Sequence, residues 1–322
     1  MPRKTLIHIG YQKTGSTWLQ TQFFNHPGLR FNMPFERSEI KDKVLFPHIF
    51  NFDEKTTRKQ FEAILSTVND DDTAVVSIES ISGSFFSDGS DGIARADRIK
   101  AVFPNAAILI SIREQRAMLR SSYKHYIKAL GTLSLSEWLN ASQLDTKGRL
   151  PIFNPIRYQY HHLITYYQSL FGDHNVLVLP YEQLRQSPEC YVNRIAEFAG
   201  IELPNEVRNN LNYRHKSNRG LSAFTANLKR HFNRFFMREI VLNPKPLIAF
   251  KLDNNTLKKW AYRIDRRVSE RFKLRYEKKL ITEIDRWANT QFQQSNAITA
   301  RLTGLDLSTY GYDLANPTSI EQ

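Results

Sequence analysis

TLIHIGYQKTGSTWLQ, residues Thr5 to Gln20, changes character twice. Thr5 to Ile9 is β-branched and apolar and stops at Gly10. A short polar run then leads into Trp18, Leu19 and Phe23, which repeat with helical spacing. The stretch therefore predicts strand, loop and helix. Lys13, Thr14, Gly15, Ser16 and Thr17 fall where the helix begins, so unpaired backbone N–H groups and the positive end of the helix dipole face whatever the loop wraps around. An anionic group is the expected guest.

A Walker A loop, G-x-x-x-x-G-K-[ST], has its lysine directly after the second glycine, whereas Lys13 comes two residues before Gly15. The loop is not of the nucleoside triphosphate type. A plain capped helix with a solvated lysine is the bland alternative, and it leaves the order of Lys13 to Thr17 unexplained. The run resembles the P-K-[ST]-G-[ST]-[ST]-W-L loop of sulfotransferases that use 3′-phosphoadenosine-5′-phosphosulfate (PAPS). Every position from Lys13 to Leu19 fits, and Gln12 stands where a proline is common. The resemblance implies a P-loop-like three-layer α/β fold: a central parallel sheet flanked by helices, with a basic helical C-terminal region. It also implies that Lys13, Thr14, Gly15, Ser16, Thr17 and Trp18 bind the nucleotide, with Lys13 acting in the chemistry as well.

The 322 residues are read as one domain, 1–222 forming a nucleotide-binding core and 223–322 its basic helical elaboration. A hydrophobic fraction of 41% and a charged fraction of 24% are those of a globular protein, and net charge +13 favours anionic partners. The single cysteine, Cys190, excludes an intramolecular disulfide and is expected to be a small buried side chain on a helix. The N-terminus runs straight into the first strand and no apolar run reaches spanning length, so a cytoplasmic protein is expected, peripheral at the inner membrane surface at most. No His/Cys cluster has metal-ligand spacing, and no metal requirement is expected.

Pro34 to Asn51 reads as an aromatic-bearing loop and Phe61 to Val68 as helix. Thr73 to Ile78 is a second buried strand, and Glu79 stands at its carboxyl end. Parallel sheets bind ligands beyond their carboxyl ends, so Glu79 should face the crevice of Lys13. The alternative is an exposed strand-end carboxylate. Ala107 to Ile112 is the third strand and ends at Arg113, with Ser121 eight residues later on the next helix. An arginine's planar fork suits phosphate. The family follows its third strand with an arginine and, eight residues on, a serine that bind the 3′-phosphate, and Arg113 and Ser121 match that order. Glu114-Gln115 departs from the usual Asn-Pro. Glu79 is the expected general base; His125, inside the helix, is assigned to core or surface.

Asn175 to Leu179 is a further strand, with Tyr181 and Glu182 tying the sheet edge to the next helix. Lys216, Asn218 and Arg219 lie in a basic turn, similar to a loop that closes over the nucleotide in bacterial members. A solvated charge cluster is the equal alternative. Basic residues then dominate Ala223 to Leu280, and Leu257, Trp260, Ile264, Val268 and Phe272 form an apolar stripe at helical spacing. The charges are read as a solvated face or as a contact for anionic glycan or a membrane surface; no nucleic-acid partner is expected. The resemblance implies transfer of a sulfuryl group from PAPS to an acceptor hydroxyl, on a carbohydrate by analogy, leaving adenosine 3′,5′-bisphosphate. The rival readings are a P-loop nucleotide kinase and a basic non-enzymatic module binding glycans or nucleic acid.

Overall fold

A computed structural model describes residues 5–85, 88–143, 153–213, 220–236 and 254–315. They belong to two compact units. The first comprises Met1–Glu114, Ile156–Ser217 and Phe292–Gln322, and the second Gln115–Pro155 and Asn218–Gln291.

The first unit is built on a parallel sheet of β1 (Thr5–His8), β2 (Phe31–Asn32), β3 (Thr73–Ser77), β4 (Ala107–Ile112) and β5 (Val176–Pro180), in the order β2-β3-β1-β4-β5. The three central strands are buried along nearly their whole length, which is why they read as continuous apolar runs without alternation. Leu6, Val75, Leu109 and Leu179 share one core with Trp18, Phe23, Tyr191 and Ile195. Each such side chain, fully buried, contributes roughly 1.5–3 kcal/mol. Helices Pro188–Ala199 and His161–Phe171 both pack on β4 and β5.

Local expectations meet several corrections here. The region expected to be a loop, Pro34 to Asn51, forms helical turns over Arg37–Ile40, Lys41–Leu45 and Ile49–Asn51, and they bury Ile40, Val44 and Leu45. The helix expected from Phe61 runs instead over Glu54–Leu65, because the Asp53 side chain caps it by accepting from the Thr56 amide at 3.0 Å. The two-residue edge strand β2 has no sequence signal of its own. Cys190 is exposed rather than buried: the helix Pro188–Ala199 turns Tyr191, Val192 and Ile195 to the core, and residue 190 falls on the other face.

The second unit, among the described residues, is helical: Gln115–Lys128, Leu135–Leu139, Ala223–Phe236, Asn254–Arg267 and Glu270–Ala288. Asn233, fully buried, donates to the carbonyls of Ile127 and Gly131, both at 2.9 Å, and so fixes helix Ala223–Phe236 against the end of helix Gln115–Lys128. Lys229, expected on a solvated face, is buried and donates to Asn233. The apolar stripe from Leu257 to Phe272 does not lie on one helix, since the chain breaks between Arg267 and Glu270 with Ser269 as the next cap. Trp260 and Phe272 are 62% and 50% exposed. No helix among the described residues is long and apolar enough to cross a membrane.

Under the sheet's carboxyl end His8 bridges three strands, with Nδ1 2.8 Å from the Ser77 hydroxyl of β3 and Nε2 3.0 Å from the Ser111 hydroxyl of β4. Burial pulls its pKa from 6.5 to about 4, against the attraction of Glu79, which raises it. Between those values the unfolded chain binds a proton that the folded one refuses. Stability is therefore full above pH 6.5 and falls as pH drops toward 4, by roughly 3 kcal/mol from this residue. Denaturant titrations at pH 7 and pH 4.5 should show the loss, and His8→Asn should flatten that slope relative to wild type; an unchanged slope would remove His8 from the account.

Candidate active site

The loop between β1 and the helical turn Ser16–Trp18 is held from below. A Cβ at Gly10 would come within 2.8 Å of both His8 Nε2 and Thr14 Oγ1, so only glycine lets the chain pass over the histidine. Thr14, fully buried, donates its hydroxyl to the Tyr11 carbonyl at 2.6 Å. Lys13 takes φ 76° and Gly15 φ 85°, two left-handed residues flanking Thr14. That winding turns successive amides toward a common concavity, the geometry of an anion nest. The amides of Thr14, Gly15, Ser16 and Thr17 take no acceptor among the described residues. After Trp18 the helix widens into a turn closed by Phe24 N on Leu19 O at 2.7 Å.

Two neighbouring strand ends complete the site. Arg113, just past β4, donates to the Lys13 carbonyl at 3.0 Å and lies over the Tyr181 ring at 5.0 Å. Its own carbonyl accepts from the Tyr160 hydroxyl at 2.6 Å, and its Nε, shut from solvent, has no partner among the described residues. An orphaned guanidinium donor beside a row of open amides fits an oxyanion. Beyond β3, Glu79 Oε1 accepts from the Ser16 hydroxyl at 2.5 Å and Oε2 from Arg37 at 2.9 Å. Burial pushes the Glu79 carboxyl up, but the Ser16 hydroxyl, its own amide, Arg37 and His8 outweigh that and leave it below the usual carboxylate value. Glu79 is therefore ionised at neutral pH.

The structure thus brings Lys13, Thr14, Gly15, Ser16, Thr17, Glu79 and Arg113 to one edge of the first unit. Trp18 belongs to the core: its ring is 5% exposed and stacks near Phe23 and Tyr213, and its indole N–H donates to the Asn212 carbonyl at 2.9 Å. Ser121 and His125 lie in the second unit on helix Gln115–Lys128, and Lys216, Asn218 and Arg219 lie outside the described residues.

Four contributors were not read from the sequence. Arg37 comes from the misread loop and also donates to Gln20 at 3.1 Å. Gln12, where a proline was expected, accepts from buried Arg157 at 2.8 Å, and Arg157 also donates to the Gly83 and Ser84 carbonyls, so a side-chain clamp holds the loop's entry. Tyr181, assigned to structure, backs both Arg113 and Gly15. His8 had a usable signal: β1, β3 and β4 each carry a polar residue near the carboxyl end of an apolar run, His8, Ser77 and Ser111. Glu182, at the start of helix Tyr181–Gln186, accepts from the Glu114 amide just past β4 and from the Tyr312 hydroxyl, both at 3.2 Å. No group of three or more metal-ligating side chains comes together among the described residues.

A family model described as the sulfotransferase domain matches residues 2–282. Among solved structures, a sulfotransferase from Alicyclobacillus acidocaldarius is 19% identical with a TM-score of 0.44, over 65% of this chain and 90% of its own. The sulfotransferase domain from the curacin biosynthetic pathway is 14% identical with a TM-score of 0.44, over 98% and 99%. A mouse sulfotransferase complexed with PAP is 13% identical with a TM-score of 0.36, over 86% and 90%. No curated protein matches the chain.

A Cβ at Gly15 would enter the left-handed region and meet the Tyr181 ring and Leu184 at 3.0 Å. Gly15→Ala should cost about 1–3 kcal/mol, read as a lowered thermal midpoint. An unshifted midpoint would mean that the loop tolerates another conformation.

Proposed function

The chain belongs to the sulfotransferase domain family, and from that premise we propose that it moves a sulfuryl group from PAPS to a carbohydrate hydroxyl. The observation that carries the reading is the row of open amides from Thr14 to Thr17, wound by left-handed Lys13 and Gly15, with Arg113 beside it. These donors suit the 5′-phosphosulfate and the 3′-phosphate of one nucleotide. Residues 2–282, matched by one family model, span both units, which are taken as one functional domain.

In the proposed step the acceptor hydroxyl gives its proton to the Glu79 carboxylate while its oxygen bonds to sulfur. The bond from sulfur to the phosphate oxygen breaks, and adenosine 3′,5′-bisphosphate leaves with the electron pair. Charge grows on that leaving oxygen, where Lys13 and the loop amides stabilise it more in the transition state than in the ground state. Glu79 begins as an ionised but weakly basic group, because Ser16 and Arg37 hold its charge. A phosphate that draws the Ser16 hydroxyl to itself removes one of those donors and raises the basicity of Glu79, so nucleotide binding readies the base.

The second unit's exposed Lys259, Arg263, Arg266, Arg267 and Arg271, with Trp260 and Phe272 among them, support contact with anionic glycan or membrane surface. A cytoplasmic enzyme peripheral to the inner membrane accords with that.

Calorimetry should find adenosine 3′,5′-bisphosphate bound far better than its analogue lacking the 3′-phosphate, by roughly 1.5–3 kcal/mol for each charge-assisted bond. Lys13→Ala should stay folded and lose about a hundred- to a thousand-fold in turnover. Equal affinity for the two nucleotides, or a Lys13→Ala enzyme of normal rate, would contradict the nucleotide assignment.

The base is tested separately. Glu79→Gln keeps a carbonyl oxygen for the Ser16 hydroxyl but cannot take a proton, so nucleotide affinity should hold while turnover at saturating PAPS drops about 10²- to 10⁴-fold. Retained turnover would move the base elsewhere, with His125→Ala as the comparison.

A further inference from the structure

Beyond residue 282, where the match to the family model ends, the chain adds helix Gln293–Thr303 and a tail that returns to the strand end carrying Arg113. We propose that this C-terminal segment completes the candidate nucleotide site, with Tyr312 as a positioning residue that holds Arg113 through Glu182. The inference rests on the assignment of Arg113 to the nucleotide's 3′-phosphate. All the residues concerned lie in the first unit.

The segment is anchored before it reaches the site. Helix Gln293–Thr303 packs against helix His161–Phe171, with Ser295 Oγ 2.8 Å from His161 Nδ1. Asn296, fully buried, donates to the Asp313 carbonyl at 2.9 Å, and the Ala315 amide donates to the Gln293 carbonyl at 3.2 Å, so the tail folds back along its own helix. Leu307 and Tyr312 are both buried, and the Tyr312 amide closes a turn on the Leu307 carbonyl at 3.2 Å. The backbone on either side of Tyr312 is thus tied down, and its ring has little freedom left to lose when the hydroxyl makes a directed bond.

That bond goes to Glu182. The Tyr312 hydroxyl donates to Glu182 Oε2 at 3.2 Å, while Oε1 accepts from the Glu114 amide at 3.2 Å. The carbonyl of the same peptide group belongs to Arg113 and accepts from the buried Tyr160 hydroxyl at 2.6 Å. Tyr160 caps the helix on which the C-terminal helix packs. The planar Arg113–Glu114 peptide is therefore gripped at both of its polar atoms, which leaves it one orientation and fixes the point from which the Arg113 side chain departs. The Tyr181 ring and the Lys13 carbonyl then steady the guanidinium. Burial pushes the Glu182 carboxyl up, while its own amide, the Glu114 amide, Arg113 and the Tyr312 hydroxyl pull the other way. Burial and the Glu182 charge keep the Tyr312 hydroxyl protonated well above the ordinary tyrosine range, so it serves Glu182 as a donor. An arginine held in place before its ligand arrives loses less freedom on binding, and affinity for the group it meets rises accordingly.

Calorimetry on the full chain compares adenosine 3′,5′-bisphosphate with adenosine 5′-phosphate, which lacks the group assigned to Arg113. Tyr312→Phe removes one oxygen and keeps the ring. It should weaken the bisphosphate by about three- to tenfold, the worth of one hydrogen bond, and leave the monophosphate within about twofold of wild type. Tyr160→Phe, which releases the other side of the same peptide, should lower the same preference by about the same factor and stands in if Tyr312→Phe does not fold. A role in stability alone would lower the thermal midpoint and leave the ratio of the two affinities as in wild type. That result, or an undiminished preference for the bisphosphate in either variant, would overturn the proposal. A wild-type chain that binds both nucleotides equally would overturn the assignment of Arg113 to the 3′-phosphate, and this inference with it.

Discussion

A neutral imidazole under the sheet's carboxyl edge is the constraint on which the site rests. His8 stands between the Ser77 and Ser111 hydroxyls, and Ser111 in turn meets the Tyr191 hydroxyl at 3.2 Å, so one buried polar chain ties β3, β1 and β4 to helix Pro188–Ala199. Gln20 extends the chain from the other side by donating to the Ser77 carbonyl and hydroxyl at 3.0 and 3.1 Å. Every member has a partner, the condition under which a buried polar network rigidifies a core instead of weakening it. The loop, Glu79 and Arg113 all leave the sheet within a few residues of this chain. Their spacing is inherited from it.

Charge is arranged in two layers above that support. The lower layer is uncharged, because burial holds His8 neutral. The upper layer carries Lys13, Arg113 and Arg37 against Glu79, half-buried or more open, where solvent reduces the cost of holding charge. Arg37 and Glu79 are 52% and 22% exposed on their side chains, so their ion pair is worth about 0–1 kcal/mol and is easily given up. The Ser16 bond matters more. It couples the loop with the open amides to the carboxylate, so neither group changes partners alone.

How far the sequence reached follows from what each signal depends on. The strands at Thr5, Thr73 and Ala107 were legible because burial on both faces writes an apolar run into the chain. Lys13 to Thr17 and Glu79 were legible because each directly follows such a run. Arg37 was not, because its position depends on helical turns of four and five residues, too short for the pair Ile40 and Val44 to stand out as a period. The Gln12–Arg157 clamp joins residues 145 positions apart and has no local trace. Cys190 was misread because one step along a helix moves a side chain about 100° around it, and its neighbours Tyr191 and Val192 took the core face.

Strand order explains why these distant residues meet at all. From β1 the chain runs to the edge strand β2, returns to β3 beside β1, and then crosses to β4 and β5 on the other side, so β1 lies where the direction of winding reverses. At such a point the connections leaving adjacent strands diverge to opposite faces and open a crevice at their carboxyl ends. The segments after β1, β3, β4 and β5 supply Lys13, Glu79, Arg113 and Tyr181 to that edge, although the sequence separates them widely. An anion in the crevice meets open amides from one strand's exit and a guanidinium from the next, with the carboxylate on the far side of the loop beyond β3. That division of sign, with Arg113 after β4 on one side of β1 and Glu79 after β3 on the other, is a property of the topology.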